Sequence, residues 1–147
     1  MLAPFHNQVK WVIMGTDLLI LVIAGKEEFM VIFRKDMIVE EKEHMRDGEG
    51  STKLTYLLDG STQKNARLFA EISLNPGCSI GYHKHDSETE YYFIVSGTGV
   101  VNDDGKEVQI KQGDSIITGN GASHSIKNTG SNTGSVPLVF HAVIVTY

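Results

Sequence analysis

Three imidazoles and one carboxylate stand at spacings that could bring them to a single point. His83 and His85 are separated by one residue. In a β-strand residues i and i+2 project from the same face, so both rings can reach one centre. Glu90 follows a short polar stretch, Asp86 to Thr89, near the start of a returning strand. A hairpin there would carry its carboxylate beside the two rings. His124 comes after the turn Gly119-Asn120-Gly121, on a later strand. Three imidazoles with one carboxylate suit Mn, Fe, Co, Ni or Zn. A single carboxylate against a dication, with neutral histidines, leaves a local charge of about +1, which favours small anions.

The elements that must position these groups read as short strands. They run Thr52 to Leu58, Arg67 to Leu74, Cys78 to His85, Glu90 to Val95, Val100 to Asn102, Glu107 to Lys111, Ser115 to Thr118, Ser123 to Lys127 and Val136 to Val145. Turn signals separate them. In Asn75-Pro76-Gly77, proline presets φ and glycine accepts a positive φ. Asp103-Asp104-Gly105 is a hairpin signal, and Gly97 and Gly99 bracket a further turn. Glu40 to Ser51 is charged and reads as a loop or arm. Asn128-Thr129-Gly130-Ser131 is repeated at once as Asn132-Thr133-Gly134-Ser135, a duplication that lengthens one turn. Strands at this spacing, without a helical period after Met37, indicate a sandwich or barrel.

The same residues resemble the two cupin motifs, G-x5-H-x-H-x3–4-E-x6-G and G-x5-P-x-G-x2-H-x3-N. Gly77, His83, His85, Glu90 and Gly97 stand at the fixed positions of the first. Gly113, Gly121, His124 and Asn128 stand at those of the second, with Gly119 where proline is usual. The resemblance spans most of Leu54 to Tyr147 and is closest to small, single-domain, oxalate-decarboxylase-like cupins. It implies an all-β jelly-roll barrel, or double-stranded β-helix, with a metal inside its mouth. The implied ligands are His83, His85, Glu90 and His124, holding one divalent ion per chain. Manganese is the first candidate and Fe, Ni, Co or Zn the others. Glu88 shares the strand parity of Glu90 and is the rival ligand, but it follows His85 too closely for the motif. Tyr92 has the parity of Glu90, so it either lines the pocket or packs the barrel. Asn128 ties down a turn, and Cys78 is a small core residue or buried thiol. His6, His44 and His141 fall outside both motifs and are assigned no role.

Two open positions on an octahedral ion can take water, dioxygen or a chelating molecule such as oxalate, a 2-oxo acid or a 2-hydroxy acid. The expected function is therefore a metal-dependent enzyme acting on a small carboxylate, by decarboxylase or oxidase/dioxygenase chemistry. Glu90, Glu88 and Tyr92 are the candidate catalytic residues. Glu88 and Glu71 are candidate proton donors by residue type alone. The alternative is a cupin that binds or senses a small anion or sugar without turnover, since fold does not select among these. A purely structural metal fits less well, because closed structural sites are usually tetrahedral and often hold cysteine.

The totals agree with this reading. One domain is expected from 147 residues. A formal charge of −5 without a basic run argues against nucleic acid. Cys78 is the only cysteine, which is compatible with a reducing compartment and an expected cytoplasmic location. A homodimer is expected, because a lone barrel with exposed edges risks aggregation. Residues 1–36 differ from the rest. Trp11 to Ala24 is apolar but interrupted by Gly15, Thr16 and Asp17, which is short of the roughly 20 apolar residues of a membrane span. Lys10 before the run and Val22-Ile23-Ala24 after it also suit a signal peptide, against which Asp17 counts. The segment reads either as extra strands for a barrel or dimer partner, or as a dispensable extension before a cupin domain at 37–147. The second is preferred.

Overall fold

A computed structural model describes residues 9–13, 19–23, 31–58, 64–130 and 136–147. Its elements are strands joined by short turns: β1 (Val9–Ile13), β2 (Leu19–Ile23), β3 (Val39–Glu43), β4 (Ser51–Tyr56), β5 (Ala66–Leu74) and β6 (Ser79–Lys84) come first. β7 (Glu88–Ser96), β8 (Thr98–Asp103), β9 (Lys106–Lys111), β10 (Ser115–Gly119), β11 (Ser123–Lys127) and β12 (Leu138–Thr146) follow. Two antiparallel sheets form the jelly roll. One has six strands in the order β10-β7-β12-β5-β4-β3, the other four in the order β6-β11-β8-β9.

Alternation explains the sandwich. Along β12 the buried positions are Leu138, Phe140, Ala142 and Ile144, with half-buried residues between them. Leu54, Ala70, Ile72, Leu74 and Ile94 face inward from the same sheet, and Ile80, Val101, Ile110 and Ile126 meet them from the other. Period-two burial on both sheets leaves one core between them.

Most expected turns hold. Gly77 adopts φ +84°, and Cys78 N–H donates to Asn75 O at 3.0 Å, closing the turn. Asp104 and Gly105 both have positive φ, as a two-residue hairpin between β8 and β9 requires. Asn128 is fully buried and does tie down its turn, donating from Nδ2 to Leu74 O at 2.9 Å and accepting from Gly130 N–H at 2.9 Å. Residues 131–135, the last residue of the first copy of the tandem repeat and all of the second, lie outside the described residues.

Three expectations need correction. Glu40 to Ser51 is not simply a loop, because Val39–Glu43 is a strand paired with β4. Its charged sequence resembles a loop because this edge strand is held by backbone bonds and leaves its side chains largely in solvent. Asp86 to Thr89 is loop only at its start, since β7 begins at Glu88. No separate turn surrounds Gly99, which lies within β8. The reversal is made at Gly97, whose φ is +83°. At the N-terminus, β1 and β2 pair with each other and add no strand to either sheet of the barrel among the described residues. Arg34, within the expected extension, pairs with Glu71 on the barrel at 2.6 Å.

Candidate metal centre

Each sheet contributes to the centre. His83 stands on β6 and His85 just beyond its end, while His124 stands on β11 directly opposite His83. Glu90 comes across from β7 in the other sheet. A bulge makes this arrangement possible. His124 opposes His83 and Ile126 opposes Ile80, so β6 spends one residue more than β11 between the two pairs. That extra residue resets the alternation, and both His83 and Ile80 turn inward.

The four ligand atoms lie within 4.8 Å of one another. Glu90 Oε2 is 2.9 Å from His124 Nε2, 3.1 Å from His85 Nε2 and 3.8 Å from His83 Nε2. His85 Nε2 and His124 Nε2 are 3.2 Å apart. Metal–imidazole bonds of about 2.0–2.1 Å meeting at a right angle place neighbouring donors roughly 3 Å apart, so the shorter separations have the spacing of a coordination shell. The tautomers agree. His83 Nδ1 donates to Gly81 O at 2.8 Å and His85 Nδ1 to Glu88 Oε1 at 2.8 Å. Both partners are acceptors only, so neutral rings keep their Nε2 lone pairs turned to the centre. The Thr118 hydroxyl, 2.9 Å from His124 Nδ1, can accept from that ring in the same way. Three nitrogen lone pairs and a carboxylate oxygen facing each other in a buried site call for a cation, and the group could hold one divalent metal ion.

Residues 70–143 match the family model described as a cupin domain. The chain belongs to the cupin family. An oxalate-binding protein from Thermotoga maritima is 44% identical over 117 residues, covering 79% of this cupin and 93% of that protein. A crystal structure described as a predicted oxalate decarboxylase from Thermotoga maritima superposes with TM-score 0.73 at 43% identity, over 80% of this cupin and 100% of that chain. An RmlC-like cupin from Shewanella frigidimarina shares the fold at TM-score 0.63 and 15% identity, over 82% of this cupin and 93% of that chain.

Behind the four donors stands a set of residues that orients them. Glu88 does not reach the centre as a ligand. It lies behind His85, gripped through both oxygens by Arg67 Nε and Nη2 at 2.6 Å each. That pairing holds its carboxyl below the usual range, against the opposing effect of burial. Arg67 was invisible to the motif. The register between β5 and β12 slips at this residue, leaving it unpaired and able to reach Glu88. Thr118 was also missed, although it sits opposite Glu90 in the β10–β7 register. Tyr92 points inward and is buried. Its ring stacks on His124 at 5.0 Å between centroids and packs on Phe140 at 4.6 Å. Burial, aided by the Glu90 charge, pushes its phenol well above the usual value. Glu71 faces away from the cavity, paired with Arg34 and 3.9 Å from His141, so it is no proton donor to this site. The expectation for Glu71 fails because its parity on β5 is opposite to that of buried Ala70 and Ile72.

The centre opens into a cavity of about 640 Å³, lined by His83, His85, Glu90 and Tyr92 below and by Lys42, His44, Arg46 and Arg67 above. His44, assigned no role from the sequence, is therefore at the mouth.

Protons and metal compete here. Burial alone would raise the Glu90 carboxyl, but the neighbouring imidazoles, His124 first, outweigh it and hold the group far below the usual range. Glu90 therefore stays charged throughout ordinary pH. The hydrogen bond to Glu90 raises His85, against burial, while burial lowers His124. A proton on His85 must leave before its Nε2 can bind a metal. Metal affinity is expected to fall as pH drops through the raised His85 value, starting above the ordinary histidine pKa of about 6.5, with protons released on uptake. Metal titrations across pH 6 to 9 in two buffers of different ionisation enthalpy test this. Flat affinity and no proton release would contradict it.

Proposed function

We propose that this cupin binds one divalent transition-metal ion on His83, His85, Glu90 and His124, and through it a small carboxylate of the oxalate or 2-oxo-acid class. The observation that carries this is the convergence of three Nε2 atoms and one carboxylate oxygen at the floor of a cavity whose upper wall holds Lys42, Arg46 and Arg67. Such a metal supplies a Lewis acid and an orienting template, and with Mn or Fe a redox partner. The residues around it hold the three rings in place through Gly81 O, Glu88 and Thr118, and Lys42, Arg46 and Arg67 bring positive charge into the cavity wall. The name of the 44% identical relative, an oxalate-binding protein, supports the ligand class. Calorimetric titration of Mn-loaded protein with oxalate is the test, with metal content measured afterwards to exclude stripping. Saturable binding near one oxalate per chain, dependent on the metal, is the expected result. Absence of binding with Mn, Fe, Co, Ni and Zn alike would end this reading.

A turnover reading is favoured by one further observation. Tyr92 lines the cavity beside the centre with its ring stacked on His124, where a phenol can supply a proton to a bound substrate. Glu88 supports the same site by orienting His85. Formate and carbon dioxide from oxalate, or oxygen consumption, would separate enzyme from binding protein, and Tyr92→Phe should slow any such turnover.

The cupin is also proposed to pair with a second copy. On the outer face of the six-stranded sheet, Ile117, Tyr91, Val143 and Phe69 form one row across four strands, and Phe93 stands in the next. Ile117 is 66% exposed and Phe93 50%. A contiguous apolar row of this kind marks an interaction face. Light scattering should give a dimer that Phe93→Glu dissociates, and a monomer at high concentration would refute it.

A further inference from the structure

The segment between β3 and β4 crosses the cavity mouth in an unusual backbone conformation. His44, Arg46 and Asp47 have φ of +50°, +56° and +61°. Residues with a Cβ seldom adopt this left-handed region, and persist there only when their surroundings impose it. Local bonds close the bend, with Asp47 N–H donating to His44 O at 2.9 Å and Gly48 N–H to Met45 O at 3.1 Å. Contacts to β6 seat it. Glu49 N–H donates to Ser79 Oγ at 2.8 Å, and Ser79 N–H returns to Glu49 O at 2.8 Å. The two backbones touch so closely that a Cβ at Gly81 would lie 1.9 Å from Arg46 O, and one at Gly48 2.2 Å from Ser79 O. The strap is thus fixed on the strand that carries His83.

The strap brings Arg46 into the lining of the cavity that His83 and Glu90 share. The three cations there are not equivalent. Arg67 is committed to Glu88 at 2.6 Å, and Lys42 lies 3.3 Å from Glu40. Among the described residues Arg46 pairs with no carboxylate, and it remains exposed to the cavity. A planar guanidinium is the side chain best shaped to grip a carboxylate through two bonds.

We infer that Arg46, held by this strap, is the specificity-determining residue of the site: it takes the far carboxylate of a two-ended anion whose near end sits at the four-donor centre. This rests on the carboxylate-binding reading above and adds a length requirement. A ligand with one carboxylate reaches the centre alone, whereas oxalate or a short 2-oxo dicarboxylate reaches both.

Titrations of Mn-loaded wild type, Arg46→Lys, Arg46→Ala and Arg46→Gly with oxalate and with acetate test the inference. Arg46→Gly removes the guanidinium while relaxing the left-handed backbone, so it guards against a folding defect. Oxalate affinity should fall about 10- to 100-fold in the Ala and Gly variants, the range for losing a charge-assisted pair, and less in Arg46→Lys. Acetate affinity and bound metal should not change. Unchanged oxalate affinity in Arg46→Ala and Arg46→Gly, or an equal loss for acetate and oxalate, would overturn the role of Arg46 and leave the binding reading standing. Wild type that binds neither anion would overturn both.

Discussion

Glu90→Gln protein, isolated without added metal, is expected to carry less than a tenth of the metal found in the wild type, and Glu90→Ala essentially none. Among the described residues Glu90 supplies the only carboxylate of the four-donor group, and its Oε2 lies 2.9 Å from His124 Nε2 and 3.1 Å from His85 Nε2. Glutamine keeps the shape but removes the charge that offsets the dication. Its amide can also turn a donor toward histidine lone pairs. The loss should therefore exceed the 10- to 100-fold reduction typical of residues that orient metal ligands from behind. Glu88→Gln supplies that comparison, because it removes the charged partner of His85 Nδ1 and of Arg67 without touching the centre. An affinity loss of about 10- to 100-fold is expected there. Elemental analysis and metal titration on the same samples read both effects. If Glu88→Gln lost metal as completely as Glu90→Gln, or Glu90→Gln kept it, the division between ligand and orienting residue would be wrong.

Gly81→Ala should be among the most destabilising single-methyl changes in the barrel. The added Cβ would lie 1.9 Å from Arg46 O, 2.8 Å from Arg46 C and 3.0 Å from Gly48 N, all backbone atoms that no rotamer change can move. Either the strap lifts from β6 or β6 shifts and carries His83 with it. Overpacking of this kind costs about 2–4 kcal/mol, corresponding to roughly 10 °C in Tm for a chain of this size. Gly105→Ala is the contrast. Nothing lies within 4 Å of a Cβ there, and only the positive φ of +95° resists. That substitution should cost about 1 kcal/mol. Thermal melts of the two variants beside the wild type decide it, and equal shifts would show that the strap is not seated as described.

These expectations differ in how far they could be read beforehand. Glu90 was legible, because its spacing from the paired histidines is local and strand parity carries it to their face. The strands of the core were legible for the same reason, as the alternation in Leu138 to Thr146 shows. Edge strand β3 was not. Its charged side chains carry no burial signal, and its place in the sheet comes from backbone bonds to β4. Glu88 shows the limit of parity. It shares a face with Glu90, yet Arg67, 21 residues away in sequence, draws it behind His85 and out of the ligand set.

By itself, then, the sequence determined which residues could bind a metal, which faces of the strands they share, and that the chain folds as a glycine-punctuated antiparallel barrel. Those properties depend on side-chain chemistry and on a period of two, both of which are local. Tertiary structure alone decided the rest: the bulge in β6 that turns Ile80 and His83 inward together, the pairing of Arg67 with Glu88, and the seating of Arg46 above the centre. Each depends on which distant backbone comes within contact distance once two sheets close on one core. Residue spacing along a single strand does not encode that distance.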